Sequence, residues 1–114
     1  MNNTPKKLRD KWSLEGKKIC ARANEGGCGG RLTKEHTIIF KGKQLQEDWA
    51  IIDLCERHHA VLNYQDNGDL QKEKNVWIAL NRASDEELEA ISKVIDFKRK
   101  RDYLNKKYGT YPRH

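Results

Sequence analysis

Two patterns of apolar residues divide the chain, one typical of strands and one of helices. The segment 31–40 predicts a strand because β-branched and aromatic residues dominate it: Thr33, Thr37, Ile38, Ile39 and Phe40. The segment 49–54 predicts a second, short strand, which leads directly into a helix that begins at Cys55 or Glu56. A strand, a second strand and a helix therefore fill the middle of the chain.

Beyond residue 68 the apolar residues recur at helical spacing. Asp69 predicts the N-cap of a helix that runs to about residue 83. Its buried face should hold three residues: Val76, Trp77 and Leu80. Ser84 and Glu87 match a capping box, and the last helix should then run from there to Gly109. Its apolar face should consist of Leu88, Ile91, Val94, Ile95, Leu104 and Tyr108.

Composition limits the size of the core. The chain has 114 residues, of which 35% are charged and 36% hydrophobic, so we expect one domain with a small core. We expect a basic N-terminal arm at 1–18, a compact core at 19–64 and a helical extension at 69–109. No apolar stretch approaches the ~20 residues of a membrane span, and the polar start is unlike a secretory signal, so we expect a cytoplasmic protein without a membrane partner.

Three cysteines and one histidine suggest a metal site. An odd number of cysteines disfavours a closed disulfide framework. Cys20 and Cys28 frame a glycine-rich loop, and Cys55 and His58 are three residues apart at a predicted helix start. These four residues fit a structural Cys₃His zinc site better than they fit scattered buried cysteines. His59 could replace His58 as the fourth ligand, but the tighter spacing favours His58.

The same region carries a motif. Glu35-His36 is followed by Leu54-Cys55-x-x-His58-His59-x-x-x-Asn63, a pattern that resembles the HNH (ββα-metal) nuclease family. The resemblance covers residues 20–63. It implies an α+β fold with a small ββα-metal, treble-clef zinc core, to which the C-terminal helices are added.

The resemblance also implies a chemistry. His36 would be the general base that takes a proton from the attacking water, and Glu35, His59 and Asn63 would hold a catalytic Mg²⁺ or Mn²⁺. The chain would then be an endonuclease that hydrolyses phosphodiester bonds, with double-stranded DNA as the expected substrate. Small proteins of this kind often belong to phages or mobile elements.

Two details of the motif differ from what a working site of this family requires. Ala50 stands where the family has a central asparagine, and Gln46 or Asp48 could supply the missing polar group. Strict alternation along a strand puts Glu35 and His36 on opposite faces. A site that uses both therefore implies a local distortion, such as a β-bulge.

Net charge adds a possible partner. The formal charge of +6 and the pI near 9.3 favour nucleic acid. Six cations crowd the end of the last helix: Lys98, Arg99, Lys100, Arg101, Lys106 and Lys107. They could contact phosphates, or they could simply form a solvated face that suits the helix dipole. We expect Tyr103 and Tyr108, in the same helix, to pack against the protein.

A second function remains open. A non-catalytic treble-clef zinc module that binds nucleic acid or a protein would need the zinc ligands alone. The combination of Glu35-His36 with His59 and Asn63 is what distinguishes a nuclease from such a module.

Overall fold

The computed structural model describes residues 5–14, 19–40, 42–60, 68–91 and 96–109. Its helices in these ranges are α1 (Lys6–Leu14), α2 (Glu56–Ala60), α3 (Gly68–Arg82), α4 (Asp85–Ile91) and α5 (Phe97–Tyr108). The strands are β1 (Leu32–His36), β2 (Ile39–Phe40), β3 (Lys43–Gln44) and β4 (Ile51–Cys55). The α+β class is thus confirmed. No helix in the described ranges is long and apolar enough to cross a membrane.

Strands β1 and β4 form the antiparallel pair at the centre of the fold. Leu32 lies opposite Cys55 and His36 opposite Ile51, with one partner for each residue and no bulge between. The β1 strand ends at His36, whereas the sequence predicted one strand to residue 40. The remainder, β2, pairs with β3 in a second small sheet, whose connection includes Gly42 at a φ of 77°.

The strand before the helix begins later than predicted. Residues Asp48–Ala50 form a 3₁₀ turn, and β4 starts at Ile51. Strand β4 then runs directly into α2 at Glu56, as expected. Ile52 and Leu54 are fully buried and anchor this strand in the core.

The N-terminal segment includes a docked helix. The Trp12 indole N–H donates to the Asp48 carboxylate at 2.6 Å, and the Lys11 ammonium contacts the same carboxylate at 2.8 Å. The Lys34 ammonium lies 4.2 Å from the centre of the Trp12 ring. The part of the predicted arm that the structure describes is therefore fixed to the β1–β4 pair by α1.

The C-terminal region forms separate helices α4 and α5. The predicted capping box is confirmed: the Ser84 N–H donates to Glu87 Oε1 at 2.9 Å, and the Glu87 N–H donates to Ser84 Oγ at 3.1 Å. The prediction of one continuous helix was wrong. Asp96 has an extended backbone, and its carboxylate accepts the Arg99 N–H at 3.0 Å, so it caps a new helix.

The core joins β4 to helices α3, α4 and α5. Its largest fully buried side chains are Phe97, Ile52, Leu54, Leu80, Leu88, Leu104 and Asn75. The predicted face of α3 was partly right, because Leu80 is buried while Val76 and Trp77 are only partly covered. Tyr108 packs on Trp77 as predicted, but Tyr103 is 58% exposed, so the expectation that it packs was wrong.

We expect Leu104→Ala to lower the free energy of unfolding by about 2–5 kcal/mol, since it leaves a cavity where α5 meets the core. The neighbouring exposed residue provides the control: Tyr103→Ala should change stability by less than about 0.5 kcal/mol. Urea unfolding followed by circular dichroism measures both. Equal losses for the two variants would contradict this account of the core.

Candidate functional site

The four predicted zinc ligands meet at one point. The sulfur atoms of Cys20, Cys28 and Cys55 and a ring nitrogen of His58 all lie within 4.8 Å of one another. The His58 Nδ1 atom is 3.4 Å from Cys20 Sγ, 3.6 Å from Cys28 Sγ and 3.2 Å from Cys55 Sγ. Residues from a loop, a strand end and a helix thus present four ligand atoms to a common centre.

These distances fit a tetrahedral zinc ion. With Zn–S near 2.3 Å and Zn–N near 2.0–2.1 Å, sulfur and nitrogen ligands of one ion lie about 3.5 Å apart. The three observed distances bracket this value. Cys₃His is also a common donor set of structural zinc sites, which leave no position open for substrate. The residues therefore fit zinc in both chemistry and spacing.

The glycine-rich loop is shaped to reach the start of α2. Gly26, Gly27 and Gly30 have φ values of 77°, 76° and 82°, which side chains rarely allow. At Gly30 a Cβ atom would lie 2.8 Å from the Glu56 side chain. The loop carbonyls of Gly29 and Arg31 accept the N–H groups of Arg57 and Glu56. The loop thereby satisfies backbone donors that the first turn of a helix leaves free.

Backbone donors also tune the thiols. The His58 N–H donates to Cys55 Sγ at 3.3 Å. Burial raises the pKa of the Cys55 thiol, but hydrogen bonds from the backbone of His58 and Gly29 and from the side chains of His58 and Cys28 together bring it to about 6. Desolvation and the neighbouring thiols raise the pKa of Cys28 to about 11. Once one thiol of the cluster is ionised, its negative charge disfavours ionisation of a second thiol. A cation at the centre of the cluster would offset the repulsion between the thiolates.

Glu35 and His59 form a further pair of potential metal ligands, next to the Cys₃His cluster. His59 Nε2 lies 3.6 Å from Glu35 Oε1. Two ligands held ~2.1 Å from one ion are at most ~4.2 Å apart, so a single divalent ion can bridge this distance. Burial raises the pKa of the Glu35 carboxyl, while His59 and Lys72 act in the opposite direction.

Thr33 determines which nitrogen of His59 is free. Its hydroxyl donates to the Leu54 carbonyl at 2.8 Å and also lies 2.9 Å from His59 Nδ1. Because a hydroxyl has a single hydrogen, the His59 Nδ1–H must donate to Thr33 Oγ1. In the neutral ring the Nε2 lone pair then faces Glu35, in the orientation that a metal ligand requires. Thr33 carries no metal-binding or catalytic signature in the sequence, and strand alternation, which places it on the same face as Glu35, is the one signal that points to it.

His36 lies on the other face of the strand. The pairing of β1 with β4 is regular at Glu35 and His36 and contains no bulge. The expectation of a local distortion was therefore wrong. His36 is 8% exposed, and its Nε2–H donates to Gln46 Oε1 at 3.2 Å. Of the two residues suggested to replace the missing amide, Gln46 thus contacts His36, whereas Asp48 contacts α1.

Asn63, the remaining predicted ligand, lies outside the described residues. The structure therefore brings together Glu35 and His59 of the four predicted catalytic residues, and it sets His36 apart from them.

The cations of α5 fall into two groups. Lys98 pairs with Glu89 at 2.9 Å, Arg101 with Asp85 at 2.7 Å and Lys107 with Glu73 at 2.7 Å. The other three are exposed and form no ion pair with any described residue: Arg99, Lys100 and Lys106. Half of the predicted nucleic-acid face thus links α5 to α3 and α4.

Comparison with known proteins gives no match: no protein-family model, curated protein or solved structure is similar to this chain.

We expect the purified protein to hold about one equivalent of zinc, because a Cys₃His site with four protein ligands binds one ion. His58→Ala and Cys55→Ser should lose the ion and much of the folded structure, because the site joins the loop to the helix. Elemental analysis and circular dichroism measure the two effects.

The adjacent histidine supplies the matched control. His59→Ala should retain the zinc, since its ring contacts Thr33 and Glu35 instead of the thiols. Zinc below half an equivalent in the wild-type protein, or its loss from His59→Ala, would rule out this ligand set.

Proposed function

We propose that this chain is a metal-dependent endonuclease of the HNH type, which hydrolyses phosphodiester bonds in double-stranded DNA and uses zinc for structure only. The observation that carries the proposal is the approach of His59 Nε2 to Glu35 Oε1 at 3.6 Å, which places two ligands of suitable chemistry around one position. A purely structural zinc module needs no such pair. The resemblance of the sequence motif to the HNH family supports the same conclusion.

The pair suits a catalytic Mg²⁺ or Mn²⁺. A carboxylate oxygen is the ligand that Mg²⁺ prefers, and an imidazole nitrogen is compatible with Mn²⁺. Bound there, the ion would neutralise phosphate charge and stabilise the leaving oxygen. The protein contributes the orientation: Thr33 fixes the ring of His59, and β1 holds Glu35 beside it. Asn63 stays in the proposal as a third ligand.

His36 stays in the proposal as the general base, with Gln46 as its positioning residue. Because the Gln46 carbonyl accepts the Nε2–H of His36, Nδ1 is left free to take a proton. The role requires substrate to reach a side chain that is mostly buried on the face opposite Glu35. His36 is therefore the part of the nuclease proposal that needs its own test.

The position of His36 also favours the second candidate. A zinc module that binds nucleic acid without cleaving it would explain why His36 and Glu35 lie on different faces of β1. In that case the Glu35–His59 contact would be an ordinary ion pair between protonated imidazole and carboxylate. The two candidates differ in one measurable property, namely cleavage that depends on a divalent ion.

We expect the zinc-loaded protein to nick supercoiled plasmid DNA when Mg²⁺ or Mn²⁺ is added and to be inactive without it. Glu35→Gln should lower the rate at least ~100-fold at a fixed ion concentration, because it removes a charged ligand. Glu47→Gln, which alters an exposed carboxylate directly before the 3₁₀ turn, is the matched control and should cleave normally. Absence of cleavage with every divalent ion and nucleic acid tried would leave the zinc-module candidate.

We expect His36→Ala to lower the rate of cleavage by roughly 10²–10⁴-fold with zinc content and DNA affinity unchanged, as for loss of a positioned base. Gln46→Ala should have a smaller effect in the same direction, since it releases the ring without removing it. Single-turnover nicking rates compare the variants. Normal cleavage by His36→Ala would remove His36 from the mechanism and leave the Glu35–His59 centre intact.

A further inference from the structure

The outward face of α5 carries an exposed aromatic residue between two cations. Arg99, Tyr103 and Lys106 are all exposed, and their spacings of four and three residues place them on one face of the helix. We call these three residues the α5 strip. Tyr103 is 58% exposed, whereas Phe97 and Leu104 of the same helix are buried. The opposite face of α5 therefore packs against the core, and the strip has no role in that packing.

The cations of the strip differ from the ion-paired cations of α5. Arg99 and Lys106 form no ion pair with any residue in the described ranges, in contrast to Lys98 and Lys107. The acidic residues that line a surface depression together with Arg99 are Glu89, Asp96 and Asp102, and Glu89 pairs with Lys98. Asp96 accepts the Arg99 backbone N–H, and Asp102 lies 3.5 Å from Arg101. Two cationic groups are thus left facing solvent.

We propose that the α5 strip binds single-stranded DNA, with a base stacked on Tyr103 and the flanking phosphates on Arg99 and Lys106. At ~1.5 Å per residue, the two cationic residues are about 10 Å apart along the helix axis, with the aromatic residue between them. This order of cation, ring and cation matches the order of phosphate, base and phosphate along a strand. A base paired within a duplex cannot stack its face on a side chain in this way, so single strands are preferred.

The inference deepens the proposed function, since it names the form of DNA that the nuclease would hold outside its catalytic centre. It does not depend on cleavage, because the strip lies on α5 whereas Glu35 and His59 lie on β1 and α2. Binding can be measured with chelated divalent ions, so failure of the strip and failure of the nuclease are separate results.

The test uses fluorescence anisotropy with a labelled oligothymidylate of twenty nucleotides and with a duplex of equal length, on the zinc-loaded full chain. We expect tighter binding of the single strand. Tyr103→Ala should weaken it about 5- to 150-fold, the range for loss of one stacked base, and Tyr103→Phe should retain it because the ring remains. An unchanged melting temperature checks that Tyr103→Ala remains folded.

The salt dependence of single-strand binding tests whether Arg99 and Lys106 contact phosphates. Each phosphate that a protein neutralises on a single strand adds ~0.7 to the slope of log affinity against log salt. Replacing Arg99 and Lys106 with Gln should therefore make that slope shallower by about 1.4. Replacing Lys98 and Lys107 with Gln removes the same charge from residues that are already paired, so the slope should change by less than half as much.

Three results would each overturn the proposal. They are equal slopes for the two double variants, equal binding by Tyr103→Ala and the wild-type protein, and a preference for the duplex over the single strand.

Discussion

The meeting of three sulfur atoms and one imidazole nitrogen is the constraint on which the rest of this fold depends. Cys20 and Cys28 lie on a loop that backbone hydrogen bonds, the Glu56 side chain and the burial of Cys20 also attach to the body, and Cys55 and His58 lie where β4 becomes α2. Structural zinc sites contribute about 10–16 kcal/mol in small peptides, comparable to the whole stability of a typical domain. In a chain with only 36% hydrophobic residues, such a site would decide whether the β1–β4–α2 unit forms.

The same unit fixes the chemistry beside it. Because Cys55 ends β4 and His58 lies in the first turn of α2, the next residue, His59, leaves the thiol cluster and turns toward β1. There it meets Thr33 and Glu35, which strand alternation places on a common face. The regular pairing of β1 with β4 sends His36 to the other face, where Gln46 holds it. One register therefore sets both the meeting of Glu35 with His59 and the separation of His36.

Features that depend on neighbouring residues in the sequence could be predicted. The capping box of Ser84 and Glu87 and the spacing of Cys55 and His58 are local, and the structure has both. Features that depend on distant contacts could not. The helical spacing of apolar residues between Leu88 and Tyr108 suggested one continuous helix, but Asp96 divides it. The docking of Trp12 on Asp48 joins residues 36 positions apart, which no local pattern indicates.

The ion pairs show why net charge alone does not locate a binding surface. The formal charge of +6 counts every cation equally, yet Lys98, Arg101 and Lys107 face carboxylates of α3 and α4 and largely cancel them. Exposed pairs of this kind contribute only about 0–1 kcal/mol each, so the burial of Phe97 and Leu104 sets the orientation of α5 and the ion pairs form in consequence. That orientation decides which residues face solvent. The cations that pair with carboxylates and those left to attract phosphate are therefore different residues of one helix, and only the tertiary structure separates the two groups.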